Sequence, residues 1–220
     1  ITTDLLHTFD VSRAISLRLL GTYGFTFQKM KMWGPYVYVL NKKARNGYLG
    51  TINISDKSNP FFEKVIPILG QPMGIDITDT FLYFNNATGN GFQALYIRQP
   101  SNPQVLTRID SKQPINTMDI QNYLLYAITN DSMLLLDVVH PLSATVLSSI
   151  PLRGVPYPTA SNVVSNSGIV YAALSNDIKA KIFIIDAYNP WGPLISDSLD
   201  VTTPGEGFIS EMVLSDDKLF

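Results

Sequence analysis

The sequence predicts an all-β fold, a β-propeller built from four-stranded antiparallel blades. Three series of landmarks share one period near 45 residues. Apolar runs containing an aromatic residue recur at intervals of 43 to 49 residues, at Tyr38, Tyr83, Tyr126, Tyr171 and Phe220. Proline corners follow at Asn59-Pro60, Asn102-Pro103, His140-Pro141 and Asn189-Pro190, and a further proline precedes each unit at Pro72, Pro114, Pro158 and Pro204. Such a period is typical of propeller blades.

Each unit reads as four short strands. The first strand alternates apolar and polar residues, as in "MGIDIT" (73–78), and a polar turn leads into the aromatic strand. A loop such as "TGNG" (88–91) favours the positive φ of a tight hairpin and precedes the third strand. The Asn-Pro corner then ends that strand, because proline lacks an amide hydrogen and cannot continue a ladder. Helix signals are nearly absent.

These landmarks predict one propeller domain over residues 1–220. Residues 5–23 resemble third and fourth strands only, whereas residues 204–220 resemble a first strand and the start of a second. We therefore predict a fifth blade completed by both termini, because a closed ring removes open strand edges. The alternative is part of a six- to eight-bladed propeller. The predicted blades are 25–69, 70–111, 112–153, 154–201 and the shared blade 1–24 plus 202–220.

The composition excludes several classes of function. Charged residues make up only 15 % of the chain, the net charge is −2, and no basic cluster exceeds "NKKAR" (41–45). The sequence therefore lacks the basic patch that is typical of nucleic-acid-binding proteins. The absence of cysteine excludes disulfides and thiolate catalysis. No apolar run approaches the roughly 20 residues of a membrane span, and no phosphate loop or G-x-S-x-G motif occurs. We expect no cofactor and no membrane insertion.

Two segments carry a resemblance to a known family. "MLLLDVVHP" (133–141) and "KIFIIDAYNP" (181–190) resemble the LVIVD-repeat propellers, whose units carry an apolar strand, an aspartate and an Asn-Pro corner. Ser55 and Gln99 depart from the motif, standing where its aspartate would be. The resemblance implies an exported or cell-surface display or binding module. The chain begins at Ile1 without methionine, so we also expect a processed or trimmed chain.

Candidate ligand-binding residues lie in the loops that enter the innermost strands. These loops converge at the mouth of a propeller's central channel, where concave sites collect ligands. Tyrosine and glutamine suit sugars or peptides through stacking and hydrogen bonds. The candidates are Tyr23, Gln71, Gln113, Tyr157 and Glu206. The alternative is that they are ordinary turn residues.

One position in the first strands is charged in three units. Asp76 and Asp119 each lie seven residues before the aromatic landmark, Lys31 occupies the same place in the first unit, and Val164 and Val213 occupy it in the others. We expect Lys31 and Asp76 to form a structural ion pair between adjacent blades, because charges near buried edges are usually paired.

The same carboxylates support an alternative prediction of catalysis. Two carboxyl groups can act as acid and base in glycoside hydrolysis, and Asp76, Asp119, Glu206 and Glu211 would be the candidates. Two carboxylates fall short of the oxygen ligands that calcium needs, so we predict no metal site.

Three further expectations concern packing and the surface. Alternating apolar residues of the first strands should pack between blades: Met30/Met32, Ile75/Ile77, Met118/Ile120 and Met212/Leu214. Asp10, Asp137 and Asp186 should cap the corners rather than form a ring of acids. Three N-glycosylation sequons occur, at Asn53, Asn86 and Asn130, with the last two expected in loops.

Together these patterns predict a non-catalytic interaction module, secreted or displayed at the cell surface. Its propeller face would bind a protein or a glycan, or its rims would make it a building block of a larger assembly. The alternative is a carbohydrate-active enzyme with carboxylates at the channel mouth.

Overall fold

The computed structural model describes residues 5–10, 18–24, 27–43, 46–86, 90–158, 160–201, 209, 211–215 and 218–219. The regular structure of the described chain is β-strand, apart from one short 3-10 helix at Pro141–Ser143. No helix in this part of the chain is long and apolar enough to cross a membrane. The predicted all-β fold is confirmed.

Four sheets of four consecutive antiparallel strands form the body of the molecule, and we call them blades I to IV. Blade I contains β3 (Lys29–Trp33), β4 (Tyr36–Lys43), β5 (Asn46–Asn53) and β6 (Phe61–Leu69). Blade II contains β7 (Pro72–Thr78), β8 (Phe81–Asn86), β9 (Asn90–Tyr96) and β10 (Gln104–Pro114). Blade III contains β11 (Thr117–Gln121), β12 (Leu124–Ile128), β13 (Ser132–Asp137) and β14 (Thr145–Pro151). Blade IV contains β15 (Ala160–Asn166), β16 (Ile169–Ser175), β17 (Ala180–Asp186) and β18 (Leu194–Val201).

The two ends of the chain each contribute a two-stranded sheet. The N-terminal pair joins β1 (Leu5–Asp10) to β2 (Arg18–Gly24), and the C-terminal pair joins β19 (Leu214–Ser215) to β20 (Lys218–Leu219). Both pairs are antiparallel, as predicted for half-blades. They are described as two separate sheets rather than one, so the completion of a single fifth blade by both termini stays a prediction.

Local sequence explains the turns inside the blades. Asn122 and Tyr123 both have positive φ, 50° and 62°, in the two-residue turn between β11 and β12, which is the signature of a type I′ hairpin. In every blade the pairing of third and fourth strands shifts register, once in blades I, III and IV and twice in blade II. Such bulges increase strand twist, which suits sheets that pack face to face around an axis.

The aspartates before the corners cap them, as predicted. The Asp137 carboxylate accepts a hydrogen bond from the Val139 amide at 2.9 Å, and the Asp186 carboxylate accepts one from the Tyr188 amide at 3.1 Å. Each bond closes a turn two residues long. The Asp10 side chain lies outside the described residues.

The core lies between neighbouring blades rather than within one. The landmark tyrosines point from each blade towards the next, and Tyr38, Tyr83 and Tyr126 are 0 %, 0 % and 1 % exposed. The Tyr83 hydroxyl donates to the Val138 carbonyl of blade III at 3.1 Å, which satisfies its polar end inside the core. Tyr171 of blade IV is only half-buried, because the sheet that follows it has two strands instead of four.

The first strands confirm the packing prediction in blades II and III but not in blade I. Ile75 and Met118 are 4 % and 5 % exposed and belong to the core between blades, whereas Met30 and Met32 are 51 % and 68 % exposed. The prediction for these two methionines is wrong. The sheet that precedes blade I is the N-terminal pair, whose described strands correspond to the outer half of a blade and do not cover the inner strand β3.

Candidate functional site

The innermost strands β3, β7, β11 and β15 lie side by side, and this brings the charged first-strand positions together. The Lys31 ammonium lies 2.9 Å from the Asp76 carboxylate. The predicted ion pair between adjacent blades is therefore confirmed. Lys31 keeps 43 % of its side chain exposed, while the Asp76 side chain is 6 % exposed.

Asp76 is fully engaged in holding blades together. One carboxylate oxygen accepts from the Ile77 amide at 2.8 Å and the other accepts from the Ile120 amide of blade III at 2.7 Å. With the Lys31 contact, this buried carboxylate links three blades. Such pairing offsets the cost of burying its charge.

Asp119 repeats the same connection one blade further along. Its carboxylate accepts from both the amide and the hydroxyl of Ser165 in blade IV, at 2.8 and 2.5 Å. Ser165 follows Val164 as Ile120 follows Asp119, so each carboxylate binds the residue just after its own equivalent in the next blade. We call Lys31, Asp76 and Asp119 the inter-blade charge cluster.

Burial and neighbouring charges shift the pKa values of two side chains in this cluster. Burial, followed by the negative charge of Asp76, raises the pKa of Asp119 to about 6, although the Ser165 hydrogen bond and Lys31 oppose the change. Burial alone would lower the pKa of Lys31, but the charges of Asp76 and Asp119 outweigh it and hold that pKa above its usual range. The pKa of one carboxyl in the cluster thus lies above the usual range of an aspartate.

The central channel beside this cluster is small. A cavity of about 130 Å³ is lined by Lys31, Asp119, Asn162, Glu211 and residues of the neighbouring inner strands. Small-molecule sites usually have about 300–1,000 Å³, so this cavity is smaller than a typical ligand site. Within the described residues no group of three or more metal-ligating side chains is present.

A larger groove opens between blades III and IV on the face that carries the loops into the innermost strands. It has a volume of about 850 Å³ and is lined by Asn130, Asp131 and the segment 152–158. We call it the Tyr157 groove. Asn130 and Asp131 belong to the turn between β12 and β13, which antiparallel pairing places on the same face as the loop between β14 and β15.

The loop of the groove is anchored on the N-terminal side of Tyr157. Leu152 and Val155 are 2 % and 6 % exposed, and the Pro156 carbonyl accepts from the Asn176 amide group at 2.7 Å. Tyr157 itself is 93 % exposed and has a φ of 49° between two prolines. The backbone is thus held firmly while the ring projects into solvent.

The predicted ligand residues fall into three groups. Tyr157 forms the groove, and the Gln113 side chain accepts a 3.5 Å hydrogen bond from Ser132, which directly follows groove residue Asp131. Gln71 is half-buried in the loop before β7. The Tyr23 side chain and all of Glu206 lie outside the described residues.

The structure describes three of the four carboxylates that were candidates for catalysis. Asp76 and Asp119 come together in the inter-blade charge cluster, and Glu211 lines the channel beside Asp119. Glu206 lies outside the described residues, so its place relative to the other three stays a prediction.

Sequence reasoning missed several residues of these sites. Arg153, Asn130 and Asp131 line the groove, and Ser165 holds Asp119. The two prolines around Tyr157 were a usable signal, because they restrict the backbone and favour a fixed ring. The contribution of the 130–131 turn carried no such signal, since its approach to the loop depends on the register of β13 and β14 within blade III, where Ser132 pairs with Pro151.

The three sequons differ in accessibility. The Asn53 amide group donates to the Glu63 carboxylate at 3.2 Å, and Asn86 lies in strand β8 rather than in the expected loop. Asn130 is exposed in its turn. The use of any of them stays a prediction.

No protein-family model and no curated protein sequence matches this chain. Several solved structures are similar to it in fold. A candidate 6-phosphogluconolactonase from Bacteroides fragilis has a TM-score of 0.72 at 10 % identity, over 96 % of this chain and 67 % of that chain. A second from Bacteroides uniformis has a TM-score of 0.70 at 10 % identity, over 96 % and 67 %. The computationally designed Ika8 protein has a TM-score of 0.62 at 11 % identity, over 92 % and 57 %.

This chain thus spans 57–67 % of the length of these three proteins. At 10–11 % identity the likeness concerns the fold alone. Together with four consecutive antiparallel sheets that pack face to face, it shows that the chain has a β-propeller-like all-β fold.

Proposed function

We propose that this protein is a non-catalytic interaction module that binds a protein or a glycan through one face of the propeller. The observation that carries the proposal is the use of Asp76 and Asp119 as structural links. Both carboxylates accept backbone hydrogen bonds from the next blade, and Lys31 lies 2.9 Å from Asp76. A catalytic pair would instead face a space that holds the substrate.

The shape of the surface supports the same proposal. The cavity beside the carboxylates has about 130 Å³, whereas the Tyr157 groove has about 850 Å³ and lacks both of them. The Tyr157 groove and the two inter-blade carboxylates, Asp76 and Asp119, therefore lie in different places.

A carbohydrate-active enzyme is the second candidate. It is favoured by the pKa of Asp119, raised by burial and by Asp76 to about 6, because a carboxyl with a raised pKa can serve as a general acid. Glu211 beside it in the channel would be the partner. The 6-phosphogluconolactonase description of two structural neighbours adds no support, since 10 % identity carries the fold only.

Hydrolysis and binding measured on the same preparation separate the two candidates. The wild-type chain should bind at least one glycan or protein on arrays without converting it, and chromogenic aryl glycosides should show no turnover above background. Turnover that disappears in Asp119→Asn, with the fold intact by circular dichroism, would establish the enzyme instead. Failure to bind any glycan or protein would overturn the interaction module.

The family, the location and the assembly of the protein are part of the same proposal. The apolar third strands followed by aspartate-capped corners support membership of the LVIVD-repeat propellers, with Asp137 and Asp186 acting as that motif's caps. We also propose a secreted or cell-surface location, or use as a building block through the blade rims. Fractionation of the native host cells and light scattering of the purified chain test these two points.

A further inference from the structure

We infer that the Tyr157 groove binds a neutral oligosaccharide. This inference rests on the proposed interaction function and assigns its ligand class and its site. The groove is lined by residues that the structure describes, has about 850 Å³, and combines one aromatic ring with three polar side chains, Asn130, Asp131 and Arg153.

The backbone strain at Tyr157 is not offset by burial of its ring among the described residues. A non-glycine residue in the left-handed region, here at φ 49°, costs about 1 kcal/mol or more. A ring that is 93 % exposed regains little of this through burial. Backbone strain of this kind is found more often at sites that contact a ligand. The bond from Asn176 to the Pro156 carbonyl keeps the loop in place, so binding requires little further ordering.

The exposed ring suits the flat face of a sugar. The electron-rich face of tyrosine attracts the slightly positive C–H groups of a pyranose, and the apolar contact adds burial. Pro156 and Pro158 on either side limit the loop's freedom. A platform of this kind is equally open along the groove, which favours a chain of two or three sugar units over a single one.

The polar side chains match hydroxyl groups, which both donate and accept. The Asn130 carbonyl oxygen is occupied by the Asn116 amide group at 2.8 Å, so its own amide group remains as a donor. Asp131 supplies carboxylate acceptors, although one oxygen already accepts from Thr129 and Ser132. Arg153 is exposed and has no ion pair or hydrogen bond within the described residues, so its guanidinium is available.

The charge balance and the backbone argue against other ligands. One cation and one anion face the groove, so it has no excess of charge for a polyanion or a polycation. A peptide would add along backbone N–H groups. Here the Leu152 amide already donates to the Asp131 carbonyl at 2.7 Å, and Pro156 and Pro158 have no amide hydrogen.

The test uses the full chain on an array of neutral gluco-, xylo- and manno-oligosaccharides of three to five units, with sulfated and uronic glycans alongside. Calorimetry on the best neutral binder then compares wild type with Tyr157→Ala, Tyr157→Phe and Tyr188→Ala. Tyr188 is also exposed, at 69 %, but lies at a corner on the opposite face and serves as the matched control. Because Tyr157 is exposed, its variants should keep the wild-type melting temperature.

We expect a neutral oligosaccharide to bind, Tyr157→Ala to weaken it tenfold or more, which corresponds to about 1.4 kcal/mol, and the Phe and Tyr188 variants to stay within about threefold. Binding that survives Tyr157→Ala would overturn the site. Preference for sulfated or uronic glycans would overturn the ligand class. If the array is blank but a protein partner binds, the inference fails while the proposed function stands; if nothing binds, both fail.

Discussion

The joints inside the row of blades differ from the joints at its two ends. Between blades III and IV, Tyr126 is 1 % exposed and lies against a complete four-stranded sheet. Beyond blade IV, the equivalent Tyr171 is half-buried and meets a sheet of two short strands. The residue type and its place in the repeat are the same. The difference shows that burial here is a property of the neighbouring blade, not of the blade that carries the side chain.

The largest expected effect contrasts these two tyrosines. Tyr126→Ala should lower the free energy of unfolding by about 3–5 kcal/mol, because it leaves a cavity in a closed joint. Tyr171→Ala should cost about half as much, since solvent already reaches its ring. Urea unfolding followed by tryptophan fluorescence measures both. Equal losses would contradict the contrast and would mean that the outer face of blade IV is covered in solution.

The methionines of the first strands provide a second matched pair. Met118→Ala should cost about 2–4 kcal/mol, since its side chain is 5 % exposed between blades II and III. Met30 occupies the equivalent position in blade I but is 51 % exposed, so Met30→Ala should cost less than about 1 kcal/mol. Thermal and urea unfolding of the two variants check this. A large loss for Met30→Ala would show that another sheet covers β3.

The inter-blade charge cluster extends the comparison of buried and exposed positions to polar contacts. Asp76→Ala should cost about 2–4 kcal/mol, because it leaves the amide of Ile120 buried without an acceptor and Lys31 without its partner. Asp200→Ala is the control. Asp200 pairs with Lys179 at 3.5 Å on the surface and is 52 % exposed, so its loss should cost less than about 0.5 kcal/mol. Similar losses at both sites would contradict a linking role for Asp76.

The smallest expected effect is a pH dependence. Burial and Asp76 raise the pKa of Asp119 to about 6 in the folded chain, whereas an unfolded aspartate titrates near 3.9. The folded state therefore binds the extra proton between these values. Its stabilising contribution is complete below about pH 4 and is lost as the pH rises through 6.

Asp119→Asn should therefore flatten the plot of unfolding free energy against pH over this window. Exposed Asp177→Asn should leave the slope unchanged. Urea titrations at half-unit pH intervals measure the slopes. A wild-type slope retained by Asp119→Asn would assign the proton to another group.

Much of the fold could be predicted because its landmarks are local. The corner prolines, the turn at Asn122 and Tyr123, and the capping aspartates act on backbone within two or three residues. The Lys31–Asp76 pair was also predictable, since equal places in successive repeats face each other. The Tyr157 groove was only half predictable, because Tyr157 is visible in its loop but Asn130 and Asp131 reach it through the pairing of β13 with β14.

By itself the sequence determined the repeat: its period, its strand order and the residues that turn the chain, since backbone geometry at proline, asparagine and aspartate is a local matter. Tertiary structure alone decided which equivalent residues of the repeat are buried, which carboxylates accept hydrogen bonds from the next blade, and where a groove opens. Those outcomes depend on what the next sheet supplies. Met30 and Met118, alike in the repeat and opposite in exposure, differ for that reason.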